Sequence, residues 1–358
     1  MRLTPSIARA ASGWLILALT ALMACQSDPD ADIRDIELDI SFRRSDSLML
    51  ACAQALRADT TLSYVDAFAR YLAPDRTFFL RWALDPMQVA TLSDAGQDSL
   101  LAASFGPLLR DTSVFHLLDT VRQVYPYDYP FAERLLPPLK RLKKYFPDIN
   151  LPEFRTHVNG FIPSGDMRSV DQIVSVEGYI SFGLHYFLGR DLKYYPINIS
   201  KYQRQRFSSE HIELALIDQI AQEILAPPAQ NRQPQLVDGM IRAGIRQYLI
   251  QQLLPNTPDS TCLMYSSAQM EWAEYYEDRI YKELIPHLFS TDFQLQRDYL
   301  SDKPYTTQLS PESAPRIGEY CGWKIVSSYM ERNPETTLAD LVSRTDYDVI
   351  FKESRYKP

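Results

Sequence analysis

The chain has 358 residues, 46% of them hydrophobic and 23% charged, with a formal net charge of −8. This composition suits a globular protein with a sizeable core, in one large domain or two small ones. The acidic balance excludes a nucleic-acid partner, whose phosphates need a basic surface, and disfavours direct binding to anionic headgroups.

The chain opens with "MRLTPSIARAASGWLILALTALMACQ". Arg2 and Arg9 form a charged start, an apolar run around Trp14 to Leu22 follows, and Leu22-Met23-Ala24-Cys25 closes it. The run is too short, and too interrupted by Ser12, Gly13 and Thr20, to span a bilayer. The closing tetrad resembles a bacterial lipobox. It implies a lipoprotein signal peptide at 1–24, cleavage before Cys25, and acylation of that cysteine, palmitate included. Loss of Arg2 and Arg9 takes the formal charge from −8 to −10. Membrane attachment then comes from the lipid on Cys25. Gln26 permits sorting to the outer membrane, with the periplasmic face preferred over the cell surface. "SDPDAD" makes residues 25–35 an acidic flexible tether, or alternatively a surface-export signal.

Residues 36–358 read as a single α+β domain, mostly helical. "DIELDISFRR" alternates Ile36, Leu38, Ile40 and Phe42 against polar residues, the period of a strand. "SDSLMLACAQALRA" predicts a helix capped by Ser45 or Asp46, and "TLSYVDAFARYLAPD" a second ending near Pro74. Helices also fit Ser99 to Leu109, Ser113 to Tyr125 and Pro130 to Tyr145. Pro137-Pro138 should break the last into two pieces or start it. Its Lys140, Arg141, Lys143 and Lys144 predict a solvated basic face rather than a partner site. "EFRTHVNGFIP", "DQIVSVEG" and "YISFGLHYFLG" read as two or three strands. Helices then fit Ser209 to Leu225, Leu236 to Leu254, Ser267 to His287, Thr291 to Leu300, Pro315 to Arg332 and a short stretch after Thr337. Helices flanking a small sheet define the α+β class.

Chemistry is sparse. Dinucleotide, P-loop and nucleophile-elbow signatures are absent from the sequence. The five histidines (His116, His157, His185, His211, His287) form no H-E-x-x-H, the helical pair that a zincin needs to close on one ion. Glu210, His211 and Glu213 are weak metal candidates; the competing reading is a helix start capped by Ser208 or Ser209. No cofactor is expected. Cys52, Cys262 and Cys321 lack C-x-x-C spacing; one disulfide is conceivable, but buried apolar thiols fit at least two of them. Gly318 and Gly322, one turn apart, predict close approach of a second helix, with Ile317, Cys321, Ile325, Val326 and Met330 as a core stripe. Trp272, Tyr275, Tyr276 and Tyr281 make an aromatic helix; some rings must pack inward, and Trp272, Tyr275 and Tyr276 form a candidate partner or glycan surface.

"SFGLHYFLGRD", "MIRAGIRQYLIQQLLPNTPDS", "SSAQMEWAEYYEDRIYKELI", "PRIGEYCGWKIVSSYMERN" and the terminal "ESRYKP" occur in that order. Together they resemble the gliding motility lipoprotein GldB family, from about Ile36 to Pro358. The resemblance implies a zincin-like fold, helices packed on a small sheet, without the zinc-binding motif. It further implies a role in gliding motility and the allied type IX secretion machinery, and brings no catalytic residues. The family carries E-G-K where this chain has Ala243-Gly244-Ile245. The Gly-Trp-x-Ile-Val-x-x-Tyr pattern also resembles a family of predicted zinc proteases.

The expectation is therefore a non-enzymatic, lipid-anchored cell-envelope protein acting through protein–protein contacts. The alternatives are a degenerate or unusual metallopeptidase near Glu210, His211 and Glu213, and a glycan- or peptide-binding lipoprotein.

Overall fold

A computed structural model describes residues 30–84, 96–161, 172–197, 199–227 and 232–358. The expected signal at 1–24, Cys25 and the start of the tether lie outside the described residues. The chain divides into two units, Met1–Glu37 and Leu38–Pro358. In the first, the described residues hold one 3-10 turn, Ala31–Ile33. The remaining elements belong to the second.

Strand β1 (Phe42–Arg43) leads into helices α1 (Ser45–Ala58), α2 (Tyr64–Tyr71), α3 (Arg76–Leu84), α4 (Gln97–Arg110), α5 (Thr112–Val124) and α6 (Phe131–Tyr145). Strands β2 (Glu153–His157), β3 (Ile173–Val176) and β4 (Tyr179–Gly183) follow. Next come α7 (Lys201–Arg204), α8 (Ile212–Ile224), α9 (Leu236–Leu253), α10 (Asp259–Cys262), α11 (Ser267–Tyr275) and α12 (Glu277–Leu284). The chain closes with α13 (Phe293–Leu300), α14 (Ile317–Arg332), α15 (Leu338–Ser343) and α16 (Tyr347–Ser354). The protein is α+β and mostly helical, as the sequence predicts.

The sheet has the order β1-β2-β4-β3. β1 and β2 are parallel, β2 and β4 are parallel, and β3 returns antiparallel on β4 through Gly178, whose φ of 80° only glycine adopts without strain. Leu38, Ile40 and Phe42 do turn toward the core while Asp39, Ser41 and Arg43 are exposed. Yet the ladder takes in only Phe42 and Arg43. β2 begins directly after Pro152, which has no N–H to continue the pairing.

Two local expectations are corrected. α1 is not capped by Ser45 or Asp46: Arg44 holds the cap position, and its side chain makes no cap bond. Both polar side chains are buried in tertiary bonds instead, Ser45 to Asp75 and Asp46 to Thr156, and Asp46 also accepts locally from Arg44 Nε at 2.8 Å. Nor does Pro137-Pro138 break α6, which runs unbroken over 15 residues. Phe131, Leu135, Leu139 and Leu142 are fully buried along one stripe, so packing on both sides of the prolines holds the helix that local chemistry opposes. The basic face of α6 is only partly solvated: Arg141 is buried, and Lys143 Nζ donates to the Ile149 carbonyl at 3.1 Å.

The core centres on α9 and α14. Gly244 faces the Gly322 backbone, and a Cβ at Gly322 would overlap the Met240 carbonyl, so neither position admits a side chain. Gly318 lies against Leu300 and the Tyr299 carbonyl. Ile317, Cys321, Ile325 and Val326 are fully buried, with Met330 half-buried at the end of the stripe. Trp323 Nε1 donates to Gln251 Oε1 across the pair at 2.6 Å. Cys52, Cys262 and Cys321 are buried free thiols, and burial pushes Cys52 and Cys262 up to about 12.

Candidate functional site

α8 and α9 are the helix pair to which the zincin-like expectation points. α9 starts with a capping box, Gln235 with Asp238, and brings Ala243 to a cleft of about 310 Å³ shared with Gln222, Arg242, Arg246 and Glu319. The cation in this region is a side chain. Arg246 lies 3.4 Å from Asp218 of α8 and 3.2 Å from Glu319 of α14. The Asp218 charge, more than any other group, raises the Arg246 pKa and keeps the guanidinium ionised. Arg316, in a left-handed conformation at φ 46°, adds a second ion pair to Glu319 at 3.1 Å and approaches Asp302 at 3.6 Å. Asp302 in turn pairs with Arg206 at 2.6 Å. The ion pairs thus tie three helices together, and the carboxylates facing α9 already have counter-charges.

Glu210, His211 and Glu213 do not converge. Glu213 turns toward α6 and takes a two-bond fork from Arg134, through Nε and through Nη2 at 2.8 Å. His211 Nδ1 lies 2.8 Å from Ser208 Oγ, and Glu210 is exposed. Burial lowers the His211 pKa, with the Glu210 charge opposing. Neither Ser208 nor Ser209 caps α8. A 3-10 turn over Ser209–His211 precedes the helix, and the Ser208 hydroxyl is held by the imidazole. His211 instead shares a cavity of about 260 Å³ with Arg206, Asp218 and Gln222. Among the described residues no group of three or more His, Cys, Asp or Glu could hold a metal ion.

The aromatic helix predicted over Ser267 to His287 divides at Tyr276 into α11 and α12, and Ile285–His287 forms a 3-10 turn. Ser266 caps α11 in a capping box with Gln269, and Ala273 is its buried inward face. The rings split as expected. Tyr281 packs inward on Tyr356, with centroids 5.2 Å apart. Trp272 and Tyr276 are half-buried at 5.1 Å from each other, and Tyr275 stands 80% exposed, edge-on to Tyr276 at 4.8 Å. Trp272 and Tyr276 line a surface cleft of about 470 Å³ together with Arg279, Glu283, Gln308 and Glu312. The far wall is a loop that the sequence does not connect to this helix. It is fixed from behind: Gln308 Nε2 donates to Asp298 at 2.7 Å, and Thr306 Oγ1 donates to the Ala314 carbonyl at 2.8 Å. Glu277 lies on the inner side, where it accepts from Tyr320 at 2.8 Å and from Tyr356.

The protein is thus a helix-rich α+β body with an aromatic-walled cleft at the α11–α12 junction. The chain belongs to the gliding motility protein GldB family, whose model matches residues 26–358. This extends the resemblance upstream of Ile36 to the residue after Cys25. No curated protein and no solved structure matches the chain. No helix among the described residues is long and apolar enough to cross a membrane.

Proposed function

We propose that this chain is a lipid-anchored envelope protein, held by an acyl group on Cys25, that serves gliding motility and the allied secretion machinery by binding protein partners rather than by turning over a substrate. The observation that carries the reading is the aromatic face at the α11–α12 junction. Tyr275 is 80% exposed beside a cleft walled by Trp272 and Tyr276, and a large aromatic in water beside a preformed hollow is the usual anchor of an interface. The ion pairs of Asp218, Glu319 and Glu213 support a binding role, since each acid is already engaged by an arginine.

The test is a Trp272→Ala/Tyr275→Ala pair in the chromosomal gene, scored for gliding speed and for secreted protein at equal levels of the variant. Loss of both outputs with normal accumulation is expected; wild-type gliding would end the proposal. Metal analysis of the purified chain addresses the peptidase alternative. Stoichiometric zinc that disappears in His211→Ala would replace the binding reading with an enzymatic one.

A further inference from the structure

We propose that the cleft beside Trp272 and Tyr276 takes a lysine- or arginine-bearing segment of the partner protein. The inference rests on the binding reading above and adds the chemistry of the occupant. Glu283 and Glu312 line the cleft, both exposed and, among the described residues, neither in an ion pair. The Ser310 hydroxyl lowers the Glu312 pKa, so this rim carboxylate is ionised at neutral pH. Against these two acids the described lining has one cation, Arg279. Lys282 on the next turn is already neutralised by Asp278 at 2.5 Å.

Charge and ring faces point to the same guest. An ammonium or guanidinium is attracted to the face of Trp or Tyr within about 6 Å, and its aliphatic stem covers the apolar part of the ring. The carboxylates then supply the counter-charge. A saccharide would stack on the same rings but leave the acids unmatched. An acidic segment would be repelled. Because the far wall is pinned by Asp298 to Gln308, little ordering is required on binding.

The test uses the full chain in detergent micelles and a fluorescein-labelled Lys-Gly-Lys-Gly-Lys peptide, followed by anisotropy at physiological salt. Glu283→Gln/Glu312→Gln is expected to weaken binding about tenfold, and Trp272→Ala to a similar degree. Asp128→Asn/Glu335→Gln removes the same charge from exposed positions that do not line the cleft and is expected to change affinity less than about twofold, because solvent and salt screen exposed charges that make no direct contact. Equal losses in both double variants would reduce the attraction to bulk charge and overturn the site. Displacement of the peptide by a neutral oligosaccharide would overturn the assignment of the guest. A peptide that does not bind, in a protein whose Trp272→Ala/Tyr275→Ala pair still abolishes gliding, would remove the cationic occupant and leave the binding reading standing. Failure of both experiments would remove both.

Discussion

Gly322 has no Cβ because the Met240 carbonyl occupies that space, and Gly244 answers it from the opposite helix. The obstacle is backbone, which cannot rotate away as a side chain would. Gly322→Ala should therefore cost about 3 kcal/mol or more, above the ordinary range for overpacking. Urea unfolding checks it; a loss below about 1 kcal/mol would mean that α9 and α14 can separate at little cost. His157 sets a second residue-scale expectation. It is fully buried on β2, with Nδ1 2.7 Å from Ser181 Oγ, and burial pushes its pKa down to about 3. His185 beside it is lowered by burial and by the neighbouring His157. A histidine with a depressed folded pKa contributes fully above its unfolded value of 6.5, and that stability is lost as pH falls from 6.5 toward 3. At pH 5 the loss is about 2 kcal/mol for His157 alone. Unfolding curves from pH 7.5 to pH 5 should show at least this decline, and His157→Gln should make it shallower, leaving the share of His185. An equally steep curve in the variant would assign the protons elsewhere.

At the scale of elements, α6 is the informative case. Pro137 lacks the N–H that would reach the Glu133 carbonyl, and the helix persists because Phe131 to Leu142 are packed. Pro137→Ala restores the bond, partly offset by the freer unfolded chain, so a net gain of about 1–2 kcal/mol is expected. A drop in the thermal midpoint would mean that the proline ring itself is needed in the packing. The same helix marks what the sequence could and could not reveal. Helices with a clean apolar stripe were legible nearly to the residue: α1 fills the expected stretch through Ala58, although its cap is Arg44 rather than Ser45 or Asp46, and α9 begins at Leu236 as expected. The glycine pair in "GEYCGW" announced a close helix contact, but its partner at Gly244 could not be read without the fold. α3, α7, α10 and α16 went unpredicted; α3 is followed directly by residues outside the described range. Of the cleft, Trp272 and Tyr276 were visible as aromatics on a helix. Gln308 and Glu312 were not, because a loop thirty-odd residues downstream carries them and only tertiary structure brings it over. Asp218, Arg246 and Glu319 escaped for the same reason, since charges on three separate helices have no spacing to recognise.

For the whole molecule, the two arguments meet at one surface. An acidic protein held near a membrane by a lipid would have to find its partner through contacts that overcome its own charge, which favours a basic counterpart and a hydrophobic anchor together. The α11–α12 face supplies the acids that meet such a counterpart and the aromatic anchor beside them, on a body held together by the α9–α14 contact. The most direct measurement places a photo-crosslinking amino acid at Tyr275 in living cells, with Tyr127, also exposed at 66%, as the control position. Irradiation should yield a discrete crosslinked protein from position 275 and none from 127. No adduct at 275, or the same ladder from both positions, would contradict a partner-binding role for this surface.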